Sequence, residues 1–460
     1  MILENMNEKQ INLNNEIGNI LVNQNKINKK LELTNEFLKK LFLYCELEVK
    51  KYNKIIKYTV DKAIYCEDEY ENPYLFVEFN PFGNLLVSLI NNETLLINPK
   101  TNIKQKNINK NNEYIIDVIG YKLFEKQEYE YITHSSKNKK SIFKNNRAIA
   151  VSLNENKRAD ILKQKIINLD EYIKDKNNVN ILSKNQNVNI NERTIPTFNK
   201  ESPESSQIEM IFADVELEHS WWFKGLRNDF GYTEPNEWYP GRYDKGLCHF
   251  IAMSILLQYS QLFYSDKTFD EDQLKKYSTT YNQSDPDRDR FDYATVDTFN
   301  KKIPFDLWEK YNHGFATTHL DVVKIMKSFF SENKNGMPID FQTRVWGWIK
   351  PWKWIRDNKP TIIMGNDFTF GYHAIMPYGY YNNENKYLVH YGWEGYSQVI
   401  MSSSFLFETW LVGIYQRKNI SNSQRFVHFQ GRKMSLEEYE KFLQEKYGKN
   451  YPFEHHGGGY

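Results

Sequence analysis

The chain has 460 residues, more than one ordinary core organises, which predicts two to three domains of roughly 100–200 residues each. Its 60 basic and 59 acidic residues leave a formal net charge of +1, so no whole-chain field exists to hold a nucleic-acid backbone or an anionic membrane. Mean hydropathy is -0.70 and no stretch reaches the roughly 18 uncharged apolar residues of a spanning helix, so no transmembrane segment is expected.

Residues 1–60 carry apolar side chains at helical spacing, namely Ile11, Ile17, Ile20, Leu21, Leu31, Leu38, Leu41 and Leu43, set among Asn, Lys and Glu. This pattern predicts one or two amphipathic helices. The opening MILENMNEKQINLNNE has no basic patch followed by an apolar run and does not read as a secretory signal. Residues 61–175 change character. Short apolar runs broken by Asn-Pro, Gly and Asn-Asn-Glu-Thr predict β-hairpins, with strands at Tyr74–Phe79, Leu85–Ile90 and Thr94–Ile97. A helix is expected near Arg158–Tyr172. Lys, Asn and Ser then dominate, and residues 176–207 read as a flexible linker.

Every one of the 10 Trp lies after this linker, from Trp221 to Trp410, which marks a separate aromatic-rich domain over 208–418. The tail, 419–460, contains SLEEYEKFLQEKYG, where a Ser followed three residues later by Glu opens a helix. The whole predicts an α+β chain.

The three cysteines, Cys45, Cys66 and Cys248, form neither a disulfide framework nor a CxxC pair, so no metal or cofactor is expected. A Cys45–Cys66 bridge is allowed but not required. Cys248 stands apart in GRYDKGLCHFIAMSILLQYSQLF. Gly246 breaks the chain just ahead of it, and Ile251, Ala252, Ile255, Leu256, Tyr259, Leu262 and Phe263 continue as a helix apolar on nearly every face. Cys248 is thus placed at the N-terminus of a buried helix, where free N–H groups and the positive dipole end favour thiolate. The Cys248 N–H is also positioned to bind an oxyanion.

The second informative segment is 359–401. It predicts strands at Thr361–Met364, His373–Tyr381 and Lys386–Tyr391, the last two joined through Asn-Asn-Glu-Asn as a hairpin whose register can bring His390 near His373. A thiolate nucleophile needs an imidazole partner and a third group to orient it. Cys248, His373 and His390 supply these in principle. His249 is adjacent to Cys248, but on a helix it projects about 100° away and reads as a poor base. His319 reads as part of a helix's first turn, and Trp346, Trp348, Trp352 and Trp354 read as core or groove lining. His455 and His456 lie in a loose tail.

Gly246-Leu247-Cys248 opening a buried helix resembles the nucleophile segment of papain-like cysteine peptidases. His373-Ala374, with Gly379-Tyr380 beyond, resembles their His strand, and Val389-His390-Tyr391-Gly392-Trp393-Glu394-Gly395 resembles the Asn-Trp-Gly run of the streptopain branch. The likeness is strongest to such peptidases of wall-less bacteria, some of which degrade immunoglobulins. It covers about 230–415, and the hairpins at 72–100 resemble the propeptide of the same branch. The resemblance implies a papain-like domain, a buried Cys helix against an antiparallel sheet, behind an α+β N-terminal domain. It implies a cysteine endopeptidase acting on protein, immunoglobulin among the candidates, made as a zymogen and secreted or displayed at the cell surface. Trp393 would shield the His373–His390 contact.

Two departures stand out. His390 occupies the position at which the family carries Asn. Arg242 stands where the family carries its oxyanion Gln, and no Gln occurs between Asp214 and Cys248. Asn236, Arg242 and Tyr243 are the candidate replacements. A Cys-His acyltransferase of transglutaminase type, or a degenerate peptidase serving as a protein-binding module, would use the same scaffold.

Overall fold

The computed structural model describes residues 20–22, 35–54, 56–68, 72–89, 93–100, 108–109, 112–117, 121–127, 210–225, 248–277, 302–311, 318–344, 351–367, 371–381, 385–392, 396–403, 407–416, 426–429 and 432–447. The chain divides into two units, Met1–Thr197 with Phe368–Phe370, and Phe198–Asp367 with Gly371–Tyr460. Both mix helix with sheet, an α+β architecture. The helix expected at Arg158–Tyr172 and the linker 176–207 lie outside the described residues.

In the first unit, β1 (Leu21–Val22) precedes helix α1 (Asn35–Tyr52) and strands β2 (Thr59–Glu67), β3 (Pro73–Asn80), β4 (Asn84–Ser88), β5 (Glu93–Asn98), β6 (Tyr114–Asp117) and β7 (Lys122–Glu125). The predicted hairpins are present, β3 to β4 and β4 to β5 each antiparallel. Strand β2 was not expected, because TVDKAIYCE interleaves charge with apolar residues; only its second half is fully buried. Helix α1 buries Leu38 and Leu41, but Leu43 stays 39% exposed, and Leu21 belongs to a strand rather than a helix. Cys45 and Cys66 are buried free thiols.

The second unit is organised by β11 (Gly371–Tyr381). Around it lie β8 (Val215–Glu216), β9 (Ile339–Arg344), β10 (Thr361–Asp367), β12 (Lys386–His390), β13 (Val399–Ser402) and β14 (Phe407–Gln416). The order β13-β12-β11-β10-β14-β9 is antiparallel at every step described, with β8 also joined to β11. Helices α2 (Ser220–Gly225), α3 (Cys248–Tyr259), α4 (Glu271–Tyr277), α5 (Lys302–Tyr311), α6 (His319–Ser331) and α7 (Pro351–Arg356) complete its body. Strands β15 (Phe426–Phe429) and β16 (Arg432–Ser435) form a hairpin ahead of α8 (Leu436–Tyr447). The expected cap is there: Ser435 Oγ accepts from Glu438 N at 3.1 Å, and Ser435 N donates to the Glu438 carboxylate at 2.7 Å.

Strand β11 changes partner along its length. Its first half, from Gly371 to Ile375, pairs with β10, and its second half, from Met376, pairs with β12. Strand β12 ends at His390, opposite Met376, so the described ladder on that edge stops short of Ala374. Helix α3 packs on β11 and β10 at this split, and against α5 and α6.

Two features lock the unit. Glu216 and Lys224 form an ion pair of 2.6 Å with side chains 1% and 0% exposed. The carboxylate also accepts from Ala213 N at 2.7 Å and Ser220 Oγ at 2.5 Å, so its lone pairs are used. Breaking such a pair strands a buried charge, and Glu216→Ala is expected to cost about 3–5 kcal/mol in denaturant unfolding. On β14, a Cβ on Gly413 would sit 2.6 Å from Trp354 Cζ3. Gly413→Ala must push the indole out of its core slot, and an overpacking loss of about 1–3 kcal/mol is expected in the same assay. Stability unchanged within error would contradict either assignment.

Candidate active site

Helix α3 is buried along its full length, from Cys248 to Tyr259. It runs on into one π turn, Ser260–Tyr264, closed by Ser265 N donating to Ser260 O at 2.8 Å. Its far end is pinned by a stack of rings. Phe223 of α2 lies between Tyr259 of α3 and Tyr378 of β11, with centroids 5.2 and 5.3 Å away and planes within 16° and 3°. The hydroxyl of Tyr259 donates to Glu218 O, and that of Tyr378 to Ser397 O. Each buried hydroxyl therefore has a partner.

The near end of α3 meets the split in β11. Cys248 is 2% exposed, and backbone groups of Ala374, His249 and Cys248 itself hydrogen-bond its sulfur in the sense that favours thiolate. A contact that favours thiolate must donate, so these are N–H groups aimed at the sulfur. Ala374 directly follows His373, so the sulfur lies beside the His strand. Burial nevertheless outweighs the donors and pushes the thiol up to about 12. The expectation of a ready thiolate from helix position alone is corrected: desolvation of the charged form exceeds what the helix end supplies.

His373 is 0% exposed. Its Nε2 lies 3.2 Å from the carbonyl oxygen of Tyr391, and the two rings approach to 4.7 Å. A carbonyl only accepts, so Nε2 carries the proton and Nδ1 is left as the basic nitrogen. Burial and the neighbouring charge of His249 push this imidazole down to about 3, against the Tyr391 carbonyl, which favours its charged form. At neutral pH the ring is neutral, the form a general base requires.

His390 takes a different place from the one the hairpin suggested. The register runs from Tyr381 opposite Lys386, and although the bulge between Pro377 and Gly379 moves His390 one residue nearer, it stands opposite Met376, three residues from His373 or roughly 10 Å of extended chain. Its Nδ1 accepts from Gly392 N at 3.1 Å. Gly392 has φ +94°, a conformation that favours glycine, and Tyr391 N donates to Tyr396 O at 2.9 Å across the same bend. His390 thus shapes the bend that presents the Tyr391 carbonyl to His373.

His249 is the residue that helical spacing misplaced. Its Nδ1 lies 3.4 Å from Cys248 Sγ. The 100° step describes neighbours inside a helix, whereas Cys248 is the first residue of α3. Its ring is 2% exposed, and its Nε2 has no hydrogen-bond partner among the described residues. Burial pushes its pKa down to about 4, opposed by the carboxylate of Asp321. Asp321 is fixed in the capping box of α6, accepting from Thr318 N at 3.0 Å and Thr318 Oγ1 at 2.9 Å. His319 opens that helix, as expected.

Asn236, Arg242, Tyr243 and Trp393 lie outside the described residues, as do Trp346, Trp348, His455 and His456. Trp354 is core, packed on Gly413, and Trp352 packs on Tyr380. Among the described residues no group of three or more His, Cys, Asp or Glu could hold a metal ion, and no helix is long and apolar enough to cross a membrane. The chain matches no protein-family model, no curated protein and no solved structure.

The buried groups give stability a pH dependence of known sign. For His249 and His373 the folded pKa is lowered, to about 4 and about 3, so their contribution is present above about pH 6.5 and is lost as pH falls toward those values. For Cys248 the folded pKa is raised to about 12, so its contribution is present below about pH 8.5 and is lost as pH rises toward that value. Denaturant midpoints should therefore fall between pH 7 and pH 4, and His249→Asn or His373→Asn should flatten that acid slope. An unchanged slope in both variants would show that these rings are solvated in solution.

Proposed function

We propose that this chain is a cysteine endopeptidase that hydrolyses protein through an acyl-thiol intermediate, with Cys248 as nucleophile and His373 as its base. The observation that carries this reading is the sulfur of Cys248 hydrogen-bonded by the backbone of Ala374, the residue next to His373, at the first position of a buried helix. The fixed tautomer of His373, with Nε2 on the Tyr391 carbonyl, supports it by leaving Nδ1 basic.

In this reading the thiol proton passes to His373 Nδ1 and the sulfur attacks the amide carbon. The imidazolium returns the proton to the departing amine, and water then hydrolyses the thioester. The Tyr391 carbonyl is the orienting group, and His390 acts one step removed, through Gly392. Cys248→Ala should abolish cleavage of labelled casein or immunoglobulin G, and His373→Ala should lower it by about 10²–10⁴. Full activity in Cys248→Ala would end the proposal.

The near-complete burial of Cys248 supports synthesis as a zymogen, because a neutral thiol 2% exposed is neither reactive nor reachable by a protein chain. Cleavage inside 176–207 should raise the iodoacetamide labelling rate of Cys248, read by mass spectrometry. An intact chain that already labels rapidly below about pH 7, well under the ordinary thiol pKa of about 8.5, would exclude the zymogen.

A further inference from the structure

Attack of a sulfur on a carbonyl carbon moves the π pair of that carbonyl onto its oxygen. The resulting oxyanion is two bonds from the sulfur and within about 3 Å of it, and a hydrogen-bond donor aimed there stabilises the transition state. A donor that already points at the resting sulfur from a few ångströms is placed to reach that oxygen. The Cys248 and His249 backbone N–H groups are directed this way. So is one side chain, the His249 ring, with Nδ1 3.4 Å from Sγ.

The buried surroundings of this ring decide which nitrogen carries its proton. Nε2 has no partner among the described residues, and the residue is 2% exposed. A buried N–H without a partner is rarer and costlier than a buried acceptor without one. The favoured tautomer therefore leaves Nε2 bare and puts the proton on Nδ1, facing the sulfur. The ring is also held neutral, since burial pushes its pKa down to about 4 even with the Asp321 carboxylate of α6 acting on it. His373, from β11, is the other titratable group that acts in this cluster. A neutral imidazole with its single N–H toward the reacting atoms cannot accept the thiol proton at Nδ1, but it can donate a hydrogen bond.

We propose that His249 is a catalytic residue of this site, an oxyanion donor whose Nδ1–H passes from the sulfur of Cys248 to the carbonyl oxygen of the substrate on attack. The assignment rests on the peptidase reading above and divides the labour between two imidazoles. His373 moves the proton; His249 moves none and stabilises charge.

Two small probes separate these roles on the whole protein after cleavage inside 176–207, the step expected to expose Cys248. p-Nitrophenyl acetate acylates a thiol through an oxyanion: the S–C bond forms, p-nitrophenolate leaves, the thiol proton goes to His373, and water later releases acetate. Iodoacetamide alkylates by displacement of iodide at a saturated carbon and forms no oxyanion. His249→Ala should lower the acylation rate by about 10²–10³ but the alkylation rate by no more than about tenfold, the latter through loss of the donor to the resting sulfur. His249→Gln, which restores an N–H donor, should recover part of the acylation rate. His373→Ala should depress both reactions together. Parallel loss of acylation and alkylation in both His249 variants would overturn the assignment and make His249 the base or a packing residue, and an unchanged acylation rate would overturn it too. Either result leaves the peptidase reading standing as long as Cys248 acylates in a His373-dependent way. A wild-type chain cleaved inside 176–207 whose Cys248 is still not acylated removes that reading, and His249's role with it.

Discussion

Burial of the helix Cys248–Tyr259 on every side is the constraint from which the rest of this unit follows. A helix apolar on nearly every face has none to give to water, so sheet must lie on one side and other helices on the remainder. Strands β10 and β11 provide the first, and α5 and α6 the second. The Tyr259–Phe223–Tyr378 stack and the Glu216–Lys224 pair fix where the helix sits along β11. Because its first residue rather than its middle meets the place where β11 changes partner, the end of the helix comes up against Ala374, and the chemistry-bearing side chains collect there.

The same burial sets the electrostatics, and the magnitudes decide the outcome. A helix N-terminus favours a nearby negative charge by about 0.3–1 kcal/mol, and by up to about 2 kcal/mol in partly buried sites. Desolvation acts more strongly: raising the Cys248 thiol from its ordinary value to about 12 corresponds to roughly 4 kcal/mol or more against the thiolate. The imidazoles move the opposite way for the same cause, since each loses water around its charged form. A thiol and two imidazoles, groups that in water would titrate within about two units of each other, are driven apart until all are neutral. Water admitted to this end of the helix would weaken the desolvation responsible and bring the three groups back toward their ordinary values.

Some of this was legible from residue letters. The hairpins over Pro73–Asn98 were readable because turn residues separate short apolar runs, and the buried helix was readable because no polar face interrupts it. Strand Thr59–Glu67 was not, because its half-buried first part carries Asp61 and Lys62 side by side, which alternation alone cannot distinguish from a loop. The relation between His390 and His373 is not legible in the letters because it depends on the hairpin register, which pairs Tyr381 with Lys386 and leaves His390 opposite Met376 even after the bulge between Pro377 and Gly379 brings it one residue nearer. The 100° step between neighbours holds for helix interiors and does not separate His249 from Cys248, because the first residue of a helix still has the freedom of a loop. The adjacency Cys248-His249 was the available signal.

The group that orients His373 could not have been read from a side chain at all. An imidazole can act as donor or acceptor on either nitrogen, so a second histidine at the orienting position would leave the tautomer of the first undetermined. A backbone carbonyl cannot donate, and the Tyr391 oxygen at 3.2 Å therefore fixes which nitrogen of His373 stays basic. What the sequence must specify is only the bend that aims this carbonyl. Gly392 supplies the backbone conformation, and His390 Nδ1 holds the Gly392 N–H. His390 can thus bear on the orientation of His373 without touching its ring, because the acceptor is the main-chain carbonyl one residue on. The identity of the Tyr391 side chain bears on packing against the His373 ring, while the proton on Nε2 answers to the carbonyl alone.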